Sequence, residues 1–258
     1  MDIFRKIYQY REMIIGMIRR DLKGKYKGSV LGFFWTFLNP LLQLMIYTVV
    51  FSLVFRNNID KFYIYLFIGL VPWIFFSTSL SGGAASVVNQ EGLVKKIYFP
   101  RQVLPIAYVT SAFVNMLLTF LVIFAVLFVS GFGIDFKYIW ALPIIMLVEY
   151  LFTLGITLIS SALTVYFRDL EYILGIIAMG WMYATPVVYS LDSIPEKYRG
   201  ILYLNPMTGI VICYRDILYY KRLPEFNTII MAFIIGVVFL FFGFFIFEKL
   251  QKRFVEEL

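Results

Sequence analysis

Glu149 is the one acidic residue well inside an apolar stretch of this chain, which has no histidine and a single cysteine, Cys213. A carboxyl in hydrocarbon is costly, and one that persists there normally faces protein or water and marks a candidate functional position. Glu149 lies nearer the outer end of its stretch, which leaves three readings: pairing with an external Arg or Lys, remaining protonated, or facing a conduit. A proton relay would need a second intramembrane acid or a histidine. The lack of histidine also excludes imidazole metal sites, Ser–His triads and imidazole pH switches. One cysteine cannot make an internal disulfide or a thiolate cluster. Glycosyl-processing chemistry needs two carboxylates held close together, and only one lies inside a stretch. No G-x-x-x-x-G-K-[ST] phosphate cradle is present, so the usual P-loop route to ATP hydrolysis is closed.

Two other constellations carry information. The segment Asn89–Arg101 interleaves charge with bulky apolar residues. It reads either as a basic connector or as a short helix docking into a soluble partner, with Leu93, Val94, Ile97 and Phe99 as anchors. The second is aromatic: 28 Phe, 19 Tyr and 4 Trp make up 20% of the chain. Most of these are expected in interface belts, in packing or facing lipid. A wide conduit lined by rings would suit sugars, whose C–H faces stack on aromatics while their hydroxyls stay solvated. Tyr47, Trp73, Phe76, Trp181 and Tyr183 are the candidates.

The elements that must hold these residues are membrane helices. A hydrocarbon core of about 30 Å takes roughly 20 helical residues to cross. Six stretches qualify: Leu31–Phe55, Tyr63–Val88, Val103–Ser130, Trp140–Phe167, Tyr172–Ser190 and Thr228–Phe247. With 61% hydrophobic and 15% charged residues and a mean hydropathy of +0.83, the 258 residues read as one all-α membrane domain. Most of the 23 Lys and Arg fall on the side of the N-terminus, which predicts cytoplasmic N- and C-termini. The net charge of +7 therefore reads as a topology signal and a lipid-surface contact, with no nucleic acid as partner.

Residues 1–27 carry no cleavable signal pattern and read as an amphipathic helix on the membrane surface. Ile3, Ile7, Tyr10, Ile14, Ile18 and Leu22 form one face, and Arg11 must snorkel from it. Asn39-Pro40 predicts a kink in the first span, and Arg56–Lys61 a tight external connection. Arg168-Asp169-Leu170-Glu171 reads as a tight cytoplasmic turn whose acids favour the start of the fifth helix. Gly175, Gly180 and Pro186 predict a distorted outer end to that helix. The long external segment 191–226 holds two apolar runs too short to span, separated by Asn205-Pro206. They read as two short helices dipping into the outer leaflet, or as a loop on its surface. Cys213 is expected to be reachable from outside.

Four landmarks occur in order along nearly the whole chain: Gly32–Pro40, Leu93–Arg101 followed by Leu104-Pro105, Phe167–Leu170 and Leu204–Met207. Together they resemble the ABC-2-type permeases that export polysaccharides, the membrane subunits of O-antigen and teichoic acid exporters. The resemblance implies a type V exporter architecture in the cytoplasmic (inner) membrane. Six helices per subunit, an N-terminal interface helix and short re-entrant external gate helices make up that architecture. It implies a homodimer driven by two separate ATPase subunits, with ATP and Mg bound there and no cofactor on this chain. It places the coupling helix over Glu91, Leu93, Val94, Lys95, Lys96, Ile97, Phe99 and Arg101. It implies a channel for a lipid-linked polysaccharide, with Glu149 added to the five aromatic candidates. The external gate falls on Ile194–Tyr220, with Tyr203, Asn205, Pro206, Tyr214 and Arg215 as its candidates. The competing readings are an ABC-2 exporter of drugs or lipids, a membrane acyl- or glycosyltransferase, and a passive channel. The last would make no use of a docking loop.

Overall fold

The computed structural model describes residues 2–24, 28–29, 31–54 and 59–258; at 2–4, 6, 33 and 51–54 only the backbone is described. The described residues form twelve α-helices and no strand. This is how a chain satisfies its backbone in hydrocarbon, with every N–H and C=O paired inside its own segment. Four helical stretches are long and apolar enough to cross a membrane: Phe62–Ala84, Val103–Val129, Ile139–Tyr166 and Phe226–Glu257. Two further apolar stretches, Trp35–Val50 and Leu170–Tyr183, are shorter.

The N-terminal segment, expected as one helix, divides at Tyr10 into α1 (Asp2–Gln9) and α2 (Arg11–Gly24). Ile7, Tyr10, Ile14, Ile18 and Leu22 are partly buried, while Gln9, Glu12, Arg19 and Lys23 are exposed. α2 packs against α6 (Val103–Val129), with Met17 buried between them and the core. Arg11 is exposed, its guanidinium 4.7 Å from the centre of the Tyr8 ring. Pro40 lies inside α3 (Trp35–Val54). Phe55, which ends the first expected span, and Arg56–Asn58 of the following connection lie outside the described residues, as do Lys25–Lys27.

α4 (Phe62–Ala84) is the central post, almost wholly buried and touching α3, α6, α7 (Leu142–Tyr166) and α8 (Leu170–Tyr183). The most extensive helix pair is α7 with α11 (Phe226–Leu250), and glycine permits it. A Cβ on Gly155 would stand 2.5 Å from the backbone of Phe239 and Leu240. One on Gly243 would collide with the Gly155 carbonyl. Small residues that let two backbones approach are the usual adhesive of helices in lipid, where the hydrophobic effect supplies no drive between them.

Side-chain bonds define two ends of the bundle. At one, Tyr10 Oη donates to the Tyr98 carbonyl (3.4 Å), Tyr166 Oη to Leu250 (2.9 Å) and Arg168 to Leu258 (3.4 Å). At the other, Lys61 Nζ donates to Ser130 (3.0 Å) and Tyr219 Oη to the Asp60 carbonyl (2.5 Å). The first end therefore holds the N-terminal helices, α5 (Glu91–Lys96), the α7–α8 turn and α12 (Phe254–Glu257). The second holds α9 (Glu196–Tyr203) and the C-terminal end of α10 (Pro206–Leu218).

The fifth expected span, Tyr172–Ser190, is the main departure. α8 stops at Tyr183 and the chain turns through Ala184–Val188. Fourteen residues rise only about 21 Å, short of a full crossing. Pro186 lacks the N–H a continuing helix would need, and the turn's carbonyls are taken by side chains of α10.

Candidate functional site

The exposed connection between α4 and α6 begins with a short turn at Val88–Gln90 and continues as α5. Glu91 and Lys95 stand one helical turn apart with Lys95 Nζ 2.7 Å from the carboxylate. The hydrogen bond and charge of Lys95 hold the Glu91 carboxyl below the usual carboxylate range. α5 lies across the bundle end, so its faces have different fates. Val94 is buried in the subunit's own core, as is Phe99 after the helix, and Leu93 is partly buried. Lys95 and Lys96 are exposed, Ile97 is 54% exposed and Tyr98 94%. Of the four expected anchors, only Ile97 stands free to meet another protein. The helix ends at Lys96 and the backbone is extended at Ile97, which throws Ile97 and Tyr98 outward before Phe99 turns back in. Arg101 donates to the Gln251 carbonyl and so ties this connection to the C-terminal end of α11. Sequence reasoning passed over Tyr98; its signal was an aromatic just beyond a two-turn helix and before Phe99-Pro100.

The opposite end is held by side chains of α10. Asn205 caps the helix, its Oδ1 accepting from the Met207 N–H (3.1 Å), and Pro206 follows at the first helical position. The same Oδ1 accepts from Trp181 Nε1 (3.0 Å), while Nδ2 donates to the Ala184 carbonyl (3.2 Å) and to Thr185 Oγ1 (2.8 Å). One amide thus fixes the end of α8 to the start of α10. Arg215 is only 2% exposed and does the rest. It donates to the carbonyls of Tyr65 (3.3 Å), Val187 (2.6 Å) and Pro186, and its guanidinium lies 3.6 Å from the Tyr65 ring centre. Gly69 makes room for it: a Cβ there would lie 2.7 Å from Arg215 Nη2. Tyr214 Oη donates to Glu149 Oε2 at 2.6 Å.

This geometry corrects several expectations. Glu149 is fully buried against Tyr214, and no Arg or Lys pairs with it among the described residues. Of the gate candidates, Tyr214 and Arg215 are buried, Tyr203 is exposed, and Asn205 and Pro206 are partly buried. Cys213 is 1% exposed, so it is not reachable from outside in this conformation. The run is a buried amphipathic helix, and the polar residues that interrupt it face inward to the carbonyls that need them.

Among the aromatic candidates, Tyr47, Trp73 and Tyr183 line a groove of 380 Å³ between α3, α4 and α8, together with Gln43, Ser77 and Ser81. Rings and hydroxyls side by side can stack on a sugar face and bond its rim. Phe76 is wholly buried, its ring centre 5.5 Å from that of Phe152 and 5.1 Å from that of Trp181. Phe76 and Trp181 therefore stand behind the groove wall. No group of three or more acidic, cysteine or histidine residues suited to a metal occurs among the described residues.

Residues 13–219 match the protein family described as ABC-2 type transporter. An O-antigen export system permease protein of Myxococcus xanthus is 39% identical over 99% of both chains. One of Klebsiella pneumoniae is 36% identical over 95% of this chain and 94% of its own. A polysialic acid transport protein of Escherichia coli is 21% identical over 76% of this chain and 77% of its own.

Proposed function

This chain belongs to the ABC-2 type transporter family, and we propose that it is the membrane permease of an ATP-driven exporter of a lipid-linked polysaccharide such as O-antigen. The observation that carries this reading is the 39% identity to an O-antigen export permease from end to end. In this reading the chain is one membrane domain of the cytoplasmic membrane with both termini inside. Six crossings are completed by α3 and by α8 with the turn after it. Two copies face each other across the groove that holds Tyr47, Trp73 and Tyr183, and α9 and α10 form the outer gate. Two ATPase subunits, carrying ATP and Mg, dock at α5. The exposed Lys95, Lys96, Ile97 and Tyr98 supply basic and apolar contacts, while Glu91 and Arg101 hold the connection in shape. Because Val94 and Phe99 are rooted in the core and Arg101 grips α11, a push on the Ile97–Tyr98 tip is passed to α6 and α11 as rigid bodies.

The test is reconstitution of the chain with its ATPase partner in vesicles carrying a lipid-linked glycan. ATP hydrolysis and glycan movement are expected only from the pair. Hydrolysis or movement by this chain alone would overturn the assignment.

A further inference from the structure

At the end of the bundle that carries both termini, the C-terminal half of α2 lies over α4 and α6 and roofs a cavity of 430 Å³. Gln90, Tyr108, Ser111 and Asn115 line it, and their side chains make no hydrogen bond among the described residues. Ser111 is buried, and Tyr108 and Asn115 stand about 7 and 18 Å along α6 from its start, in a helix whose other polar side chains, Thr110 and Thr119, bond back to its own carbonyls. Polar groups at such depth need a polar companion, because lipid tails offer none. At the rim stand one cation and one anion, Arg20 and Asp21, with Arg20 Nε 3.6 Å from Asp21 Oδ1. The two side chains are 56% and 34% exposed, so each retains bonding capacity beyond this loose pair. Burial pushes the Asp21 carboxyl up, with Arg20 opposing, and a second cation beside it would keep it ionised.

We propose that this cavity binds the zwitterionic headgroup of a phospholipid bearing a primary ammonium, as in phosphatidylethanolamine. Arg20 takes the phosphate, Asp21 takes the ammonium, and the Tyr108 and Ser111 hydroxyls and Asn115 amide of α6, with the Gln90 amide before α5, take the glycerol esters. A guanidinium offers paired donors to a phosphate, and a carboxylate accepts from –NH₃⁺ by a charge-assisted bond. An anionic headgroup without an ammonium leaves Asp21 opposed to it. A quaternary ammonium has the charge but no N–H to give. The cavity adjoins the α3–α4–α8 groove, sharing Thr78 with it, and the headgroup proposed here is distinct from the proposed cargo.

The experiment is native mass spectrometry of the full chain with its ATPase partner, released from vesicles of equal phosphatidylethanolamine, phosphatidylcholine and phosphatidylglycerol. Preferential retention of phosphatidylethanolamine is expected. Asp21→Asn is expected to lower that preference about tenfold, and Arg20→Gln to lower retention of all three lipids by a similar factor. Asn115→Leu, which leaves both charges in place, is expected to weaken retention without changing the order of preference. Equal retention of the three lipids, preference for phosphatidylglycerol, or unchanged retention by the variants would overturn the proposal. So would displacement of the bound lipid by a polyprenyl diphosphate, which would assign the cavity to cargo. Export activity is a separate readout, so failure here leaves the permease assignment standing.

Discussion

The two ends of this bundle treat their polar and apolar groups in opposite ways. At the far end, Asn205 and Arg215 donate to the Ala184, Pro186 and Val187 carbonyls beyond the broken end of α8, and Arg215 and Tyr214 are shut inside. At the near end, the connection after α4 is rooted by Val94 and Phe99 but leaves Ile97 and Tyr98 outside. A region that satisfies itself is finished by its own chain; one that holds apolar side chains rigidly outward is shaped for another molecule. The fastened end should therefore report on folding and the open end on association.

Replacing Arg215 is expected to have the largest effect. Arg215→Ala leaves three carbonyls without their donor in a site closed to water. Each charge-assisted bond is worth roughly 1.5–3 kcal/mol, so a loss of about 3–5 kcal/mol is expected. Thermal unfolding of the purified subunit in detergent would show it, with faster proteolysis within residues 191–226. Arg215→Lys should fall between, since an ammonium cannot present the planar fork that reaches several carbonyls at once. Wild-type melting of the alanine variant would mean that the far end is held by something else.

Ile97→Asp comes next and tests the open end. Affinity for the ATPase partner is expected to fall by about 2–4 kcal/mol, with the melting temperature of the permease unchanged. Val94→Asp is the necessary contrast: it places a charge in the subunit's own core and should unfold the hairpin before any partner is involved. If the two variants behaved alike, the division between a rooted face and a free face of this connection would be wrong.

That division marks the limit of what could be read from residue order alone. The helices themselves were legible, because apolar runs of span length and their punctuation by Pro, Gly and charge are local properties. The start of α10 was legible too, since Asn205-Pro206 is a cap followed by the residue best suited to the first helical position. The partners of Arg215 were not, because they are backbone carbonyls, which any residue type provides. The distorted outer end of α8 was legible from Pro186, but not what holds it, since Arg215 lies 29 residues beyond that proline. Val94 and Ile97 are three residues apart and equally apolar; what separates their roles is that α5 ends at Lys96 and the backbone turns extended at Ile97. The pairing of Glu149 with Tyr214 required α7 and α10 to be neighbours, which periodicity does not state.

Asn205→Ala is expected to cost less than either charge change, about 1–2 kcal/mol from the lost cap and its neutral side-chain bonds. Its signature should be local: hydrogen exchange should quicken at Met207 and across Ala184–Val188, while α5 stays protected. Exchange that quickened equally at both ends would mean that the ends are not independent units.

Glu91→Gln should give the smallest effect, and its pH dependence distinguishes a shaping role from a contact role. Lys95 lowers the folded carboxyl below its unfolded value, so the stabilisation of α5 is fully present above the ordinary glutamate range. It is lost as pH falls through the lowered folded value. Association with the ATPase should accordingly be flat from neutral pH down to that range and weaken only below it. In Glu91→Gln the acid-dependent part should vanish while affinity at neutral pH stays within a few fold, because an exposed helical pair contributes little. A large loss of affinity at neutral pH, with α5 still helical, would instead make Glu91 a direct contact. The docking surface would then extend from the Ile97–Tyr98 tip back to the first turn of α5.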